Sequence, residues 1–224
     1  MQKIKAAVLV KKKTIKILEL ETCDLRDDQV LIKNYYASLC KTQVDEWLGI
    51  RANSKFYPNC FGHEAISRVV KTGKKITHVK KGDYVCASWI QSDAKNVPGT
   101  KYLFKKKKII NAGPVNTFST YSVVAYNRIY KIKKNEFKLK TTLMGCAAFT
   151  AFNIIMNNLK LTKNKKICVI GIGGVGLSCL LILKKMGIKK IIAFDIVKKK
   201  IILAKKIGFK DVFNSNNKSN FLKI

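Results

Sequence analysis

This 224-residue chain has little arginine, no C-x-x-C pair and no long apolar run. Of its 45 basic residues only Arg26, Arg51, Arg68 and Arg128 are arginine. Recognition of phosphate and base edges favours arginine forks and stacking aromatics. The net charge of +32, carried by lysine from end to end, therefore does not specify a nucleic-acid binder. Lysine, isoleucine and asparagine share A/T-rich codons, and codon bias accounts for the charge. Weak attraction to polyanions follows regardless. A polyanion-binding module is a minor alternative, expected to show steep salt dependence with sequence preference. The seven cysteines, Cys23, Cys40, Cys60, Cys86, Cys146, Cys168 and Cys179, are odd in number and scattered. That pattern excludes a disulfide framework and fits reduced thiols. No run reaches the roughly 18 apolar residues of a membrane span. The N-terminus, MQKIKAAVLVKKK, has no small-residue cleavage site and reads as a first strand. A cytoplasmic protein with no membrane partner is expected.

What is present is an ordinary 47% of apolar residues and enough chain for one large domain or two small ones. Short β-rich runs cover Ile4–Val10, Ile15–Leu20, Gln29–Tyr36, Ala65–Lys71, Tyr84–Ile90, Thr120–Ala125 and Arg128–Ile132. Many short strands between turn signals predict a barrel or sandwich. TQVDEWL, between Cys40 and Gly49, is short enough for one helix of two turns. Ser88–Ile110, with Pro98-Gly99 and Lys105–Lys108, reads as a lobe or long loop with a solvated lysine turn. From Thr141 the pattern changes to helix at Ala147–Leu159, strand at Lys166–Ile170, helix at Gly174–Met186, strand at Lys190–Phe194 and helix at Lys198–Ile207. This is a βαβ unit, with Asp211–Asn214 a possible third strand. The fold class is α/β with a β-rich N-terminal part, divided as 1–145 and 146–224. No internal repeat is visible.

Gly171, Gly173 and Gly176 form G-x-G-x-x-G after an apolar strand and at the start of a helix. Asp195 ends the next strand, 19 residues past Gly176, near the spacing of about 20 expected for a dinucleotide fingerprint. Gly171 permits the tight turn, Gly173 lets the backbone approach a pyrophosphate, and Gly176 lets the helix pack on the strand. Gly174 and Val175 complete the turn at the helix N-terminus, where free N–H groups suit an anion. Asp195 can accept from the adenosine ribose hydroxyls, and its charge favours NAD over NADP. The plainer reading of Asp195 is a helix-capping acid.

Cys40, His63 and Cys146 form a soft donor set with one coordination position open. Taken singly, each is more often structural, and the other five cysteines are read as small buried hydrophobes. His78, among lysines, reads as a surface residue. Glu64 beside His63 can tune a metal from behind the imidazole. Cys146, just before a helix, is where the positive dipole end favours a thiolate. Two thiolates and an imidazole leave tetrahedral zinc one site for water or substrate, the Cys₂His arrangement known for catalytic zinc in alcohol dehydrogenase.

These stretches, ASLCKTQ, GHEAISRVVKTG, KKGDYV, FSTYSVV, GCAAFTA and GIGGVG with Asp195, occur in family order. The chain resembles the zinc-dependent medium-chain alcohol dehydrogenase superfamily. The resemblance implies a GroES-like barrel followed by a Rossmann domain, with zinc on Cys40, His63 and Cys146. It implies Glu64 next to the metal and Thr42 as the hydroxyl that relays the substrate proton. It implies Thr150 beside the nicotinamide, Lys200 at the adenosine ribose and Trp89 on the substrate wall. Trp47, Leu48 and Trp89 read either as aromatic pocket walls or as core. Ser88–Ile110 contains no cysteine, so one zinc and no structural zinc is expected. Gln43 replaces a common aspartate, Asp45 stands where some members have a relay histidine, Ser67 replaces a glycine, and Ala151 follows Thr150 where glycine is frequent.

A full dinucleotide fold needs about six strands, whereas 59 residues remain from Lys166 onward. The half supporting nicotinamide and the family's returning C-terminal segment are then missing. An incomplete, truncated Rossmann part with an exposed apolar edge is expected, and little turnover. The leading expectation is a zinc-dependent hydride transfer between a small alcohol or polyol and NAD. A remnant that binds zinc or nucleotide without turnover is the alternative. Oligomerisation is not predicted.

Overall fold

The computed structural model describes residues 1–51, 57–159, 161 and 164–217. It divides into two compact units, Met1–Cys146 and Ala147–Ile224, each described by itself.

The first unit is built from two β layers. β1 (Lys3–Lys11), β2 (Thr14–Thr22), β4 (Asn59–Cys60), β7 (Lys101–Phe104) and β8 (Lys108–Ala112) close a barrel in the order β1-β2-β7-β8-β4. β3 (Gln29–Ala37), β5 (Ala65–Thr72), β6 (Tyr84–Ala87), β9 (Tyr121–Ala125) and β10 (Ile129–Lys131) form a second sheet, β10-β6-β5-β3-β9. Alternation sets the faces. In β1, Ile4, Ala6 and Val8 enter the core while Lys3 and Lys5 stay in water. Ile4, Val8, Leu20, Tyr102 and Ile110 share one cluster inside the barrel. Tyr102 is fully buried there, and its hydroxyl donates to Asn116 Oδ1 at 2.6 Å and accepts from the Val123 amide at 2.9 Å. Val30, Ile32, Val69, Val85 and Val124 form the core of the second sheet.

The segment Ser88–Ile110 departs from its expected irregularity. It holds the β7–β8 hairpin, which closes the barrel by pairing β7 with β2 and β8 with β4. The short apolar runs YLF and KII were masked by the lysines of the turn, which are exposed, with Lys105 and Lys106 at positive φ. β6 also stops at Ala87, short of Ile90, where its pairing with Ala65 and Ile129 ends, and the next residue, Ser88, donates its hydroxyl to the Gly145 carbonyl at 2.6 Å.

α1 (Lys41–Leu48) links the two β layers. Gly49, at φ 72°, ends it in the left-handed conformation that L side chains avoid. In the second unit, α2 (Ala147–Asn153) runs into a π-helical turn at Ile154–Asn158. β11 (Ile167–Ile170), β12 (Ile191–Asp195) and β13 (Val212–Asn214) form a parallel sheet in that order. α3 (Gly174–Lys185) and α4 (Lys198–Lys206) are the crossovers. Both end on lysines, Lys184-Lys185 and Lys205-Lys206, which suit the negative end of the helix dipole. Leu180, Ala193, Ile201 and Phe209 make the core. β11 is an edge strand among the described residues. This corrects the reading of Cys168 as a buried hydrophobe: the residue is exposed, and Ile170 on the same strand is 77% exposed. No single helix among the described residues is long and apolar enough to cross a membrane.

Candidate functional site

The first unit brings Cys40, His63 and Cys146 together from three distant places in the sequence. Cys40 stands just before α1, His63 follows the turn after β4, and Cys146 follows the 3₁₀ stretch Leu139–Gly145. Gly62 permits the His63 turn: it has φ 97°, and a Cβ there would lie 2.7 Å from Thr117 Oγ1. The Thr117 hydroxyl donates to the Glu64 carbonyl at 3.1 Å and ties that turn down. The three donor atoms lie within 4.8 Å of one another, and the two sulfurs are 3.9 Å apart. Tetrahedral zinc with bonds of about 2.3 Å to sulfur places two sulfurs about 3.8 Å apart. His63 Nε2 is buried without a hydrogen-bond partner among the described residues, while Nδ1 lies 2.6 Å from the Gln43 amide nitrogen. A buried ring nitrogen left unpartnered beside two close thiols is the environment a soft divalent ion would satisfy.

Burial, and next the Arg51 charge, lowers the His63 pKa to about 4, so the ring is neutral near pH 7, as a ligand must be. Cys146 differs from expectation. Burial first, then the neighbouring Cys40 and Glu64, push its thiol up to about 12, against only a hydrogen bond from Trp89. Desolvation and these two neighbours favour the neutral thiol over the thiolate. Burial likewise raises the Glu64 carboxyl, whose Oε2 has no partner among the described residues. The Thr42 hydroxyl lies 3.8 Å from Cys40 Sγ and accepts from an Arg51 guanidinium N–H at 3.3 Å. Asp45 is bound in an ion pair with Lys41. Trp89 is 46% exposed.

In the second unit, Gly171, Gly173, Gly174, Val175, Gly176, Asp195 and Lys200 line one cavity of about 550 Å³. Thr150, on α2, is not among its lining residues. The apolar wall of Ile154, Ile155, Leu159 and Leu161 had no signal in the glycine motif. A Cβ on Gly173 would meet nothing within 4 Å, so the backbone there is open to an approaching anion. Asp195, only 5% exposed, is more occupied than a free ribose acceptor: it accepts from the Ile172 amide at 2.6 Å and the Val197 amide at 2.8 Å, with Lys200 Nζ at 3.5 Å. It clamps the glycine turn to the start of α4 as well as facing the cavity.

Burial alone would raise the Asp195 pKa, but these two amides and Lys200 outweigh it and leave the carboxyl below its usual value. A depressed folded pKa means that its stabilisation is complete above the unfolded value, near 3.9, and is lost as pH falls through the folded value. Asp195→Asn keeps one acceptor and turns an NH₂ towards the other amide. It is expected to destabilise the second unit by about 1–3 kcal/mol and to flatten the stability loss below about pH 4, both read from acid titrations of the two proteins by circular dichroism.

Residues 26–134 match the family model described as the alcohol dehydrogenase GroES-like domain. Benzyl alcohol dehydrogenase from Acinetobacter calcoaceticus superposes with a TM-score of 0.83 at 25% identity, over 97% of this chain and 65% of that one. An alcohol dehydrogenase zinc-binding domain protein from Burkholderia ambifaria gives 0.86 at 20% identity, over 96% and 65%. The alcohol dehydrogenase of Thermus sp. ATN1 gives 0.77 at 19% identity, over 95% and 63%.

Residues 26–134 belong to the alcohol dehydrogenase GroES-like domain family, and the chain as a whole is similar in fold to zinc-binding alcohol dehydrogenases. It spans about 65% of the length of the first of these relatives. Its fold is a GroES-like barrel in the first unit and a small parallel sheet with crossover helices, part of a Rossmann sheet, in the second. Within that fold Ser67, a departure from the family pattern, is fully buried and donates to Asn34 Oδ1 at 2.7 Å, so the added hydroxyl is absorbed locally. Arg51, close to Thr42 and His63, had no sequence signal at all. Gln43 was marked in the sequence only as a departure from a common aspartate; the signal for its structural role is the spacing of a capping box, three residues after Cys40.

Proposed function

We propose that the chain is the zinc- and nucleotide-binding part of an oxidoreductase that moves a hydride between a small alcohol or polyol and NAD. The observation that carries this reading is the convergence of two thiols and an unpartnered imidazole nitrogen within 4.8 Å. Cys40, His63 and Cys146 would hold zinc, which when bound supplies Lewis-acid polarisation of an alcohol or carbonyl oxygen. Glu64 supports the set from the buried side. The Thr42 hydroxyl accepts from Arg51 and, among the described residues, donates to no acceptor, so it could pass its own proton on as it takes one from a substrate hydroxyl. The Gly171–Gly176 turn and the α3 N-terminus would take the pyrophosphate of NAD, with Lys200 and Asp195 beside the ribose. With zinc and NAD⁺ bound, the pair would supply the chemistry that turns an alcohol into its carbonyl compound, giving NADH and a proton.

Binding tests this reading more directly than turnover, because the relatives extend beyond the length of this chain. The purified protein is expected to carry about one zinc per chain, and His63→Ala and Cys40→Ala to lose it, with the metal measured by atomic emission. Absence of zinc after purification and reconstitution, or unchanged zinc in both variants, would overturn the reading.

A further inference from the structure

Gln43 connects α1 to His63, and its orientation is settled by a donor that cannot accept. It is 2% exposed. The Cys40 backbone N–H donates to Gln43 Oε1 at 3.0 Å, so the carboxamide oxygen faces α1. The NH₂ end therefore faces His63 Nδ1, at 2.6 Å. An amide NH₂ only donates, so Nδ1 is the accepting nitrogen of the ring. A neutral imidazole has one proton, and it must then lie on Nε2. With Nδ1 engaged by Gln43, Nε2 is the nitrogen left for a metal, and a metal needs a lone pair there.

We infer that Gln43 holds His63 in the tautomer opposed to metal coordination through Nε2, and so weakens metal binding at this site. The inference rests on the metal reading above. Metal entry moves the ring proton to Nδ1, and Gln43 must then turn its oxygen to the ring. That rotation abandons the Cys40 N–H, one of the amides that α1 cannot satisfy from within. The conflict is local: one carboxamide oxygen has two donors to serve. A carboxylate of the same length removes it, because its two oxygens can accept from Cys40 N–H and Nδ1–H together. Gln43 is thus a positioning residue, acting through His63.

The test compares the metal-free wild-type chain with Q43E. Cobalt(II) is titrated in, followed by thiolate-to-cobalt absorption, and zinc affinity is measured by competition with a chelator. Q43E is expected to bind about 10- to 100-fold more tightly, the range over which the partner of a ligating histidine acts. Added charge alone could tighten binding, so the ring tautomer is read independently by ¹H–¹⁵N correlation. The chain has only two histidines, and His63→Ala identifies the signals. The metal-free wild type is expected to carry its proton on Nε2 and Q43E on Nδ1. A metal-free wild type protonated on Nδ1 overturns the inference, even if Q43E does not fold. Equal or weaker metal binding by a folded Q43E overturns it while leaving the metal reading in place. Failure of both proteins to bind either metal overturns both.

Discussion

Gly176→Val is expected to unfold the second unit. A Cβ at residue 176 would lie 1.9 Å from the Gly171 carbonyl oxygen and 3.0 Å from its carbon. Neither atom can yield. Gly171 is held at φ 92°, and its amide donates to the Phe194 carbonyl at 2.7 Å, which fixes the turn to β12. Overpacking of well-fitted cores costs about 1–3 kcal/mol and occasionally more. A backbone collision of this depth belongs beyond that range, because relief requires α3 to lift off β11 and expose the cluster around Leu180 and Ala193. Hydrogen exchange is the measurement: amides of β11 and β12 should lose their protection. Gly173→Ala is the control, since a Cβ there meets nothing and should leave those amides protected. If Gly176→Val protects them as the wild type does, the close packing of helix on strand is wrong.

Gly145→Ala should damage the metal set from behind. The new Cβ would meet the Ala87 carbonyl oxygen at 2.6 Å and Glu64 Cβ at 2.7 Å. Both belong to strands or turns at the base of the site, and the Gly145 carbonyl is also anchored by Ser88. Relief must come from the neighbouring backbone, and Cys146 is the next residue. A shift of a few tenths of an ångström spoils a site whose bonds are defined to about 0.2 Å. The expected result is a fall in zinc affinity of at least about tenfold, of the order seen when the surroundings of a ligand are disturbed. The thermal stabilisation conferred by zinc should fall with it. Ligand at 1,000 times its Kd stabilises by about 4.1 kcal/mol, so each tenfold loss of affinity removes about 1.4 kcal/mol at fixed zinc. Wild-type zinc affinity in a folded Gly145→Ala protein would contradict the packing described.

The two glycine positions differ in how far the sequence announced them. Gly176 belongs to a pattern whose spacing carries its own mechanics: a turn, a helix start and an acid at the next strand end. The βαβ unit, the third strand and the short helix after Cys40 were legible for the same reason, since they rest on periodicity and capping within a few residues. The glycine turn also placed its residues in one cavity, with Asp195 and Lys200 beside them. Gly145 opens the GCAAFTA stretch, but nothing within that stretch shows why glycine is needed there. Its need arises from Glu64 and Ala87, which are far from it in sequence.

The hairpin at β7 and β8 was hidden because lysine dominates its turn and its strands are only four and five residues long. Closure of a barrel is a non-local event, and nothing within such a short run distinguishes a closing hairpin from an exposed loop. Cys168 was misread because an apolar strand normally packs on both sides, whereas Cys168 and Ile170 share an exposed face of β11. The raised thiol of Cys146 was not legible in the sequence, because desolvation and the approach of Cys40 arise only once the chain has folded.

The identity of the donor atoms, the glycine turn and the order of the motifs were determined by the sequence alone, since each depends on residue type and short spacing. Tertiary structure decided the rest: that residues 40, 63 and 146 meet, that Asp195 clamps a turn it was expected only to complement, and that one carboxamide oxygen answers to both a helix amide and an imidazole. These outcomes depend on which groups share the same few ångströms after the chain has closed on itself, and hydrogen-bond direction and desolvation exist only there.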